Sequence, residues 1–141
     1  MPREDGSVLV YNKTKQTFLA RRLKVADSVL SRFVGLLGKR RLEPDGGLWI
    51  FPSRGIHTLG MLFRIDVVFL DRGLRVVALR ESIPPFSMTS LYLDAESVIE
   101  LPARTISRTG TEVGDQLVIS AVDVSGASES TRPAIPSKAG E

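Results

Sequence analysis

The hydrophobic positions of this chain follow a helical period in one segment. Between residues 27 and 37, large apolar side chains recur at the i, i+3, i+4, i+7 spacing of a single helical face: Leu30, Phe33, Val34 and Leu37. Asp27 or Ser28 can cap the start of this segment, and Gly38 is typical of a helix end. The pattern therefore predicts one amphipathic helix over about residues 27–37.

Most other apolar runs are short and rich in β-branched and aromatic residues. They cover residues 8–11, 19–25, 48–51, 65–70, 74–79, 91–93, 97–101 and 116–122. The clearest hairpin has Asp71-Arg72-Gly73 as a short loop between two strand-like runs, and Gly114-Asp115 indicates a turn before the last run. We predict a mainly β fold, a compact β-sandwich or barrel of short, mostly antiparallel strands with the helix packed on it.

The two ends of the chain differ in composition from the rest. Residues 125–141 (SGASESTRPAIPSKAGE) contain one large apolar side chain, Ile135, among Ser, Ala, Gly, Pro and charged residues. Such a segment buries too little apolar surface to offset the entropy of ordering it, so a disordered tail is expected. Residues 1–6 are expected to be flexible, which leaves a single β-rich domain over residues 7–124.

The chain of 141 residues contains no cysteine, and this removes several function classes. Disulfide frameworks, thiolate zinc sites, thiolate-bound iron–sulfur clusters and cysteine nucleophiles are excluded. No run approaches the roughly 18 apolar residues of a membrane span. The start of the chain, MPREDGS, is charged where a signal peptide is apolar. We therefore expect a soluble, cytoplasmic monomer.

Positive charge is concentrated in the first third of the chain. Residues 1–47 carry ten Lys and Arg against five Asp and Glu, a balance of +5, whereas the rest of the chain is −2. Two basic clusters could form one patch for an anionic or nucleic-acid partner: Arg21, Arg22 and Lys24, and Lys39, Arg40 and Arg41. Two separate solvated faces are the simpler explanation of these clusters. Nucleic acid is disfavoured because stacking aromatics do not interleave with these cations.

Residues 52–69 (PSRGIHTLGMLFRIDVVF) carry the most informative chemistry. They contain His57, the one histidine of the chain, next to Thr58, with Met61 four residues later and Asp66 near the head of an apolar strand. A carboxylate in such a run needs partners, and we expect Asp66 to accept hydrogen bonds from His57, Thr58 or backbone amides. The set is either an acid–base site at a pocket rim or a buried polar clasp. A single histidine makes a metal site improbable, and no cofactor is expected.

Several motifs in this order resemble a known family. The run from residue 47 to 71, GLWIFPSRGIHTLGMLFRIDVVFLD, is similar to the hallmark of a bacterial and archaeal family named domain of unknown function 192. RFVGLL at 32–37, VIELPA at 98–103 and the Gly-Asp turn at 114–115 resemble its further motifs, so the resemblance covers about residues 17–120. It implies a compact β-rich fold with a single helix and no assigned biochemical activity.

Three positions depart from the pattern of that family. Ser53 stands where cysteine is frequent, which indicates that a thiol is dispensable. Gly60 replaces a common aromatic, and Arg104 puts a cation where the usual residue is glycine. The last two changes alter side chains next to the candidate site.

These observations support three functional hypotheses. The leading one is a non-enzymatic ligand- or partner-binding module that uses the surface around His57, Thr58, Met61 and Asp66, with Glu100 and Arg104 as candidate neighbours. The alternative is a small hydrolase or transferase in which His57 is the general base and Asp66 orients it. The third is binding of an anionic or nucleic-acid partner by the basic patch.

Overall fold

Seven strands form the framework of the described chain. The computed structural model describes residues 3–26, 42–56, 58 and 62–121. The strands are β1 (Val8–Asn12), β2 (Thr17–Ala26), β3 (Gly46–Ile50), β4 (Ile65–Leu70), β5 (Val76–Ile83), β6 (Ser97–Pro102) and β7 (Leu117–Ser120), and one short helix, α1 (Thr105–Thr109), lies between the last two strands. The helix predicted over 27–37 and the tail predicted over 125–141 lie outside the described residues.

The strands form one sheet that curls towards a barrel. Its order is β5-β4-β6-β3-β2-β1-β7, and every neighbouring pair is antiparallel except β2 and β3, which are parallel. The two edges meet at one corner, where Arg75 pairs with Gln116 and the Leu117 N–H donates to the carbonyl of Leu74 (2.9 Å). The predicted mainly β fold, with mostly antiparallel strands, is thus confirmed as a curled half-barrel.

The central strands are buried on both faces. One core cluster draws on both edges of the sheet and includes Val10, Val76, Ile99 and Leu117, so it fills the concave side. The second cluster lies on the opposite face of the central strands and includes Leu48, Val67, Phe69 and Val98. Burial on both faces explains why residues 65–70 are apolar except for Asp66 instead of alternating between apolar and polar.

Several predicted elements are confirmed, and one is wrong. β4 and β5 form the expected antiparallel hairpin, and the loop at Asp71 is closed by a bond from the Leu74 N–H to the Asp71 carbonyl (3.0 Å). Residues 91–93 are not a strand, because Leu91 and Leu93 face solvent and Tyr92 alone packs against the core. Helix α1 was not predicted, since five residues are too few for a helical period to show.

The turn predicted at Gly114 and Asp115 closes one end of the sheet. Asp115 is buried and accepts hydrogen bonds from the Asn12 side chain (2.9 Å) and from Lys15 Nζ (2.8 Å). Burial alone raises the pKa of this carboxyl, but the bonds from Asn12 and Lys15 outweigh it and hold the pKa below its usual value. The polar cluster therefore ties β1 to the turn before β7.

Within the described ranges, no helix is both long enough and apolar enough to cross a bilayer.

Candidate functional site

The structure describes part of the predicted site. Thr58, Asp66, Glu100 and Arg104 are among the described residues, whereas His57 and Met61 lie outside them. In the basic patch, Arg21, Arg22 and Lys24 are described, and residues 39–41 are not.

Asp66 is a buried junction between three elements. Its side chain is fully buried, and Oδ1 accepts the Ser82 N–H (2.8 Å) while Oδ2 accepts the Ile106 N–H (2.9 Å). Ser82 lies where the register between β4 and β5 shifts, and it has a left-handed backbone with φ 51°. Ile106 lies in the first turn of α1, whose N-cap residue makes no side-chain cap bond. Asp66 thus accepts two backbone N–H groups that lack a backbone partner. The Ser82 N–H is left unpaired by the β-bulge, and the Ile106 N–H is one of the unpaired amides at the start of the helix.

Thr58 is a second buried junction, on a different segment. Its hydroxyl donates to the carbonyl of Pro84 (2.8 Å) and accepts the N–H of Ser87 (2.7 Å). Its backbone carbonyl accepts the N–H of Phe86 (3.1 Å). We name residues 84–93 the strap, since they run beside residues 54–56 and residue 58. Thr58 fastens the start of the strap, whereas Asp66 bonds to the β5 bulge and to α1.

We expect Thr58→Val to lower the free energy of unfolding by roughly 1–3 kcal/mol, because the Ser87 N–H loses its side-chain acceptor. The isosteric change keeps the volume of the side chain, so the loss reports the hydroxyl. Urea denaturation measures the effect, and limited proteolysis should cut the strap faster. Ser90→Ala is the control, since Ser90 is exposed on the same strap. Equal stability of both variants contradicts a fastening role for Thr58.

Glu100 is a buried acidic residue among the predicted site residues. It is 4% exposed, and its side chain makes no hydrogen bond or ion pair with any residue that the structure describes. Burial takes the carboxylate out of water and raises the pKa of Glu100 to about 8. The side chain is therefore mostly a neutral acid at neutral pH.

The sheet places Glu100 and Asp66 on opposite faces. Glu100 is paired with Leu48 on β3 and with Val67 on β4, both in the second core cluster. Asp66 is paired with Leu101, which belongs to the first cluster on the concave side. Because successive side chains of a strand alternate between faces, the two carboxyl groups cannot act on one ligand.

Arg104 lies at the edge of a groove beside α1. The groove has a volume of about 550 Å³ and is bordered by Leu42, Pro44, Asp45, Pro102, Arg104 and Arg108, among others. Arg104 is exposed and has a left-handed backbone with φ 76°. Sequence reasoning missed Arg108 because nothing in its local pattern distinguishes it from an ordinary surface arginine.

Two of the three described members of the basic patch, Arg21 and Arg22, have local partners. The guanidinium of Arg21 lies 4.1 Å from the centre of the Phe18 ring, and Arg22 Nη1 is 3.4 Å from a carboxylate oxygen of Asp5. The backbone N–H groups of both arginines donate to the Asp45 carbonyl (3.0 and 2.9 Å), which lies at the groove. Lys24 is exposed on β2.

The described residues hold no group of three or more His, Asp or Glu side chains placed to bind a metal ion.

Sequence comparison matches this chain to uncharacterised proteins. The model of domain of unknown function 192, described as "Uncharacterized ACR", matches residues 10–119. A UPF0127 protein of Thermococcus sibiricus is 33% identical over 117 residues, which cover 77% of this chain and 73% of the relative. A UPF0127 protein of Pyrococcus horikoshii is 30% identical over 115 residues, which cover 77% of this chain and 96% of the relative.

Two solved structures share the fold. A putative transcription regulator from Sinorhizobium meliloti superposes with a TM-score of 0.67 at 21% identity, covering 78% of this chain and 89% of that one. A protein of unknown function from Novosphingobium aromaticivorans superposes with a TM-score of 0.68 at 17% identity, covering 79% and 82%. At such identities the likeness extends to the fold alone.

Proposed function

This chain belongs to the domain of unknown function 192 family, and from its own surface we propose that it is a non-enzymatic module that binds a protein partner through the strap. The observation that carries the proposal is the concentration of exposed apolar side chains on that segment. His57 and Met61 lie outside the described residues and stay candidates for this function from the sequence alone.

The apolar surface is concentrated rather than scattered. In the described part of the chain, five of the six exposed large hydrophobic residues lie on the strap or close to His57 in sequence, and they are 54–76% exposed: Leu62, Phe86, Met88, Leu91 and Leu93. The sixth, Val113, is in the turn region before β7. Single exposed apolar residues are ordinary, but a group of them marks an interaction surface.

The strap is held in a fixed shape by bonds on its inner side. The N–H groups of Thr89 and Tyr92 donate to the carbonyls of Ile56 and Arg54 (2.9 Å each). The Tyr92 ring packs 4.4 Å from the Phe69 ring, centre to centre, in the second core cluster. The exposed apolar residues are thus presented by an ordered backbone, which reduces the entropy lost on binding.

The charges around the strap favour a protein over a lipid surface. Arg54 and Arg64 are exposed. Arg54 bonds to Tyr92 at the end of the strap, and Arg64 bonds to Ser82 just before it. Asp94 and Glu96 are exposed just after the strap. An anionic bilayer attracts a basic surround and gains nothing from a balanced one. A protein partner with an apolar centre and charges of both signs at its rim complements this pattern.

The two alternative functions have less support. A hydrolase needs Asp66 to orient His57, but both oxygens of Asp66 already accept backbone amides on the concave side. The basic-patch hypothesis loses two of its described cations, because Arg21 stacks on the Phe18 ring and Arg22 lies next to Asp5. Among the described members, Lys24 is the exposed cation for which no such contact is seen.

The experiment uses a photo-crosslinking amino acid at position 91, with position 113 as the matched exposed control. We expect a protein to be crosslinked from position 91 and not from 113. The purified partner should then bind the wild-type chain with a negative heat-capacity change. Leu91→Ser with Leu93→Ser should weaken that binding roughly 100-fold, from the loss of two buried leucines.

Val113→Ser should leave the affinity unchanged, and neither variant should alter the melting temperature by more than about 1 °C, because the changed side chains are exposed. The proposal fails if positions 91 and 113 crosslink alike. It also fails if the double variant binds the purified partner as tightly as the wild type.

A further inference from the structure

We propose that the groove beside α1 binds a small organic anion, a carboxylate or phosphate group on an apolar body, through the guanidinium groups of Arg104 and Arg108. This site is separate from the strap and does not depend on the function proposed above.

The shape and lining of the groove fit a small molecule. Its volume of about 550 Å³ lies in the usual range of ligand sites. Leu42, Pro44 and Pro102 supply apolar surface, and Arg104 and Arg108 supply two cations. A lining that combines apolar side chains with two arginines suits a ligand with one charged end and one apolar end.

Neither of the two arginines has a carboxylate partner among the described residues, unlike Lys15 and Arg22. Both are exposed. The bond from the Arg108 N–H to the Arg104 carbonyl (2.9 Å) shows that they are four residues apart on one helical turn. Like charges at this spacing repel, and an anion bound between them removes the repulsion.

Arg104 occupies a backbone conformation that favours glycine. Its φ of 76° lies in the left-handed region, where a side chain costs about 1 kcal/mol or more. At the other end of the same helix, Gly110 has φ 70°. The chain thus uses glycine for this conformation at one end and a long cationic side chain at the other.

The other polar residues of the groove, Thr105, Ser107 and Asp45, indicate which groups bind the charge of the ligand. The hydroxyls of Thr105 and Ser107 donate to the carbonyls of Pro102 (2.7 Å) and Arg104 (3.2 Å), so the charged recognition falls to the guanidinium groups. These bind planar or tetrahedral oxyanions in a bidentate manner. Asp45 also borders the groove, so the charged lining has a net charge of +1, which favours an anionic ligand.

The test is calorimetric titration of the full chain with hexanoate, phenyl phosphate and inorganic phosphate at low salt. We expect saturable binding of the two organic anions and at least tenfold weaker binding of inorganic phosphate. Arg104→Gly and Arg108→Gln should each weaken binding of the organic anions at least tenfold. Arg104→Gly should also melt no lower than the wild type, because glycine relieves the backbone strain.

Arg72→Gln is the matched control, since Arg72 is an exposed arginine in the hairpin loop between β4 and β5. Its binding of the organic anions should equal that of the wild type. The proposal is overturned if no organic anion saturates, if inorganic phosphate binds as tightly as the organic anions, or if Arg72→Gln loses as much affinity as the groove variants. Loss of the strap's partner binding leaves this result unaffected.

Discussion

Replacing Asp66 with asparagine is expected to destabilise the protein by roughly 2–4 kcal/mol, a larger loss than that expected for Thr58→Val. The carboxylate accepts one backbone amide on each oxygen, from Ser82 and from Ile106. Asparagine keeps one acceptor oxygen, so one of the two backbone N–H groups would face the side-chain NH2 group. Two hydrogen-bond donors would then face each other in the buried interior. The melting temperature should fall by about 10 °C or more.

Hydrogen exchange gives this prediction a local readout. The amides of Ser82 and Ile106 should exchange faster in the variant, because one of them loses its acceptor. Asp94→Asn is the control, since Asp94 is exposed in a turn and its loss should change stability by no more than about 0.5 kcal/mol. If Asp66→Asn melts like the wild type, the carboxylate does not hold these elements together.

Glu100→Gln is expected to stabilise the protein at high pH and to change it little at pH 5. The pKa of Glu100 is raised from 4.5 to about 8 by burial, so the folded state resists ionisation that the unfolded chain undergoes freely. The wild type therefore keeps its full stability below about pH 4.5 and loses stability as the pH rises towards about 8. One pKa unit corresponds to about 1.4 kcal/mol, so the total loss is on the order of a few kcal/mol.

Denaturant melts from pH 5 to pH 9 measure this difference. Glutamine cannot ionise, so its stability curve should be flatter than that of the wild type, and the gap between them should widen with pH. Glu96→Gln is the matched control, because Glu96 is exposed immediately before β6. Parallel curves for the wild type and Glu100→Gln contradict the raised pKa of Glu100.

The hairpin shows how far local sequence determines this fold. Two apolar runs around Asp71-Arg72-Gly73 predict β4 and β5, and the antiparallel pairing confirms them. The same reasoning fails at residues 91–93, because an apolar run can equally be a segment whose side chains remain in solvent. Local pattern cannot distinguish the two, since the exposure of Leu91 and Leu93 depends on what the rest of the fold leaves uncovered.

The candidate site shows a different limit. The sequence identifies Asp66 as a carboxylate that needs partners, and backbone amides are among those it predicts. The particular partners, Ser82 and Ile106, are 16 and 40 residues away, and only folding brings them together. The opposed directions of Asp66 and Glu100 depend on the register between β4 and β6, which no local pattern specifies.

The sequence by itself determined the mainly β fold, the positions of most strands, the absence of thiol chemistry and the family. These follow from hydrophobic period, turn residues and composition, which act within short segments of chain. Tertiary structure alone decided which polar groups are satisfied, which face of the sheet each carboxyl occupies, and where apolar side chains and arginines remain exposed. Burial and partnership are relations between segments distant in sequence, so they exist only once strand pairing has fixed which segments meet.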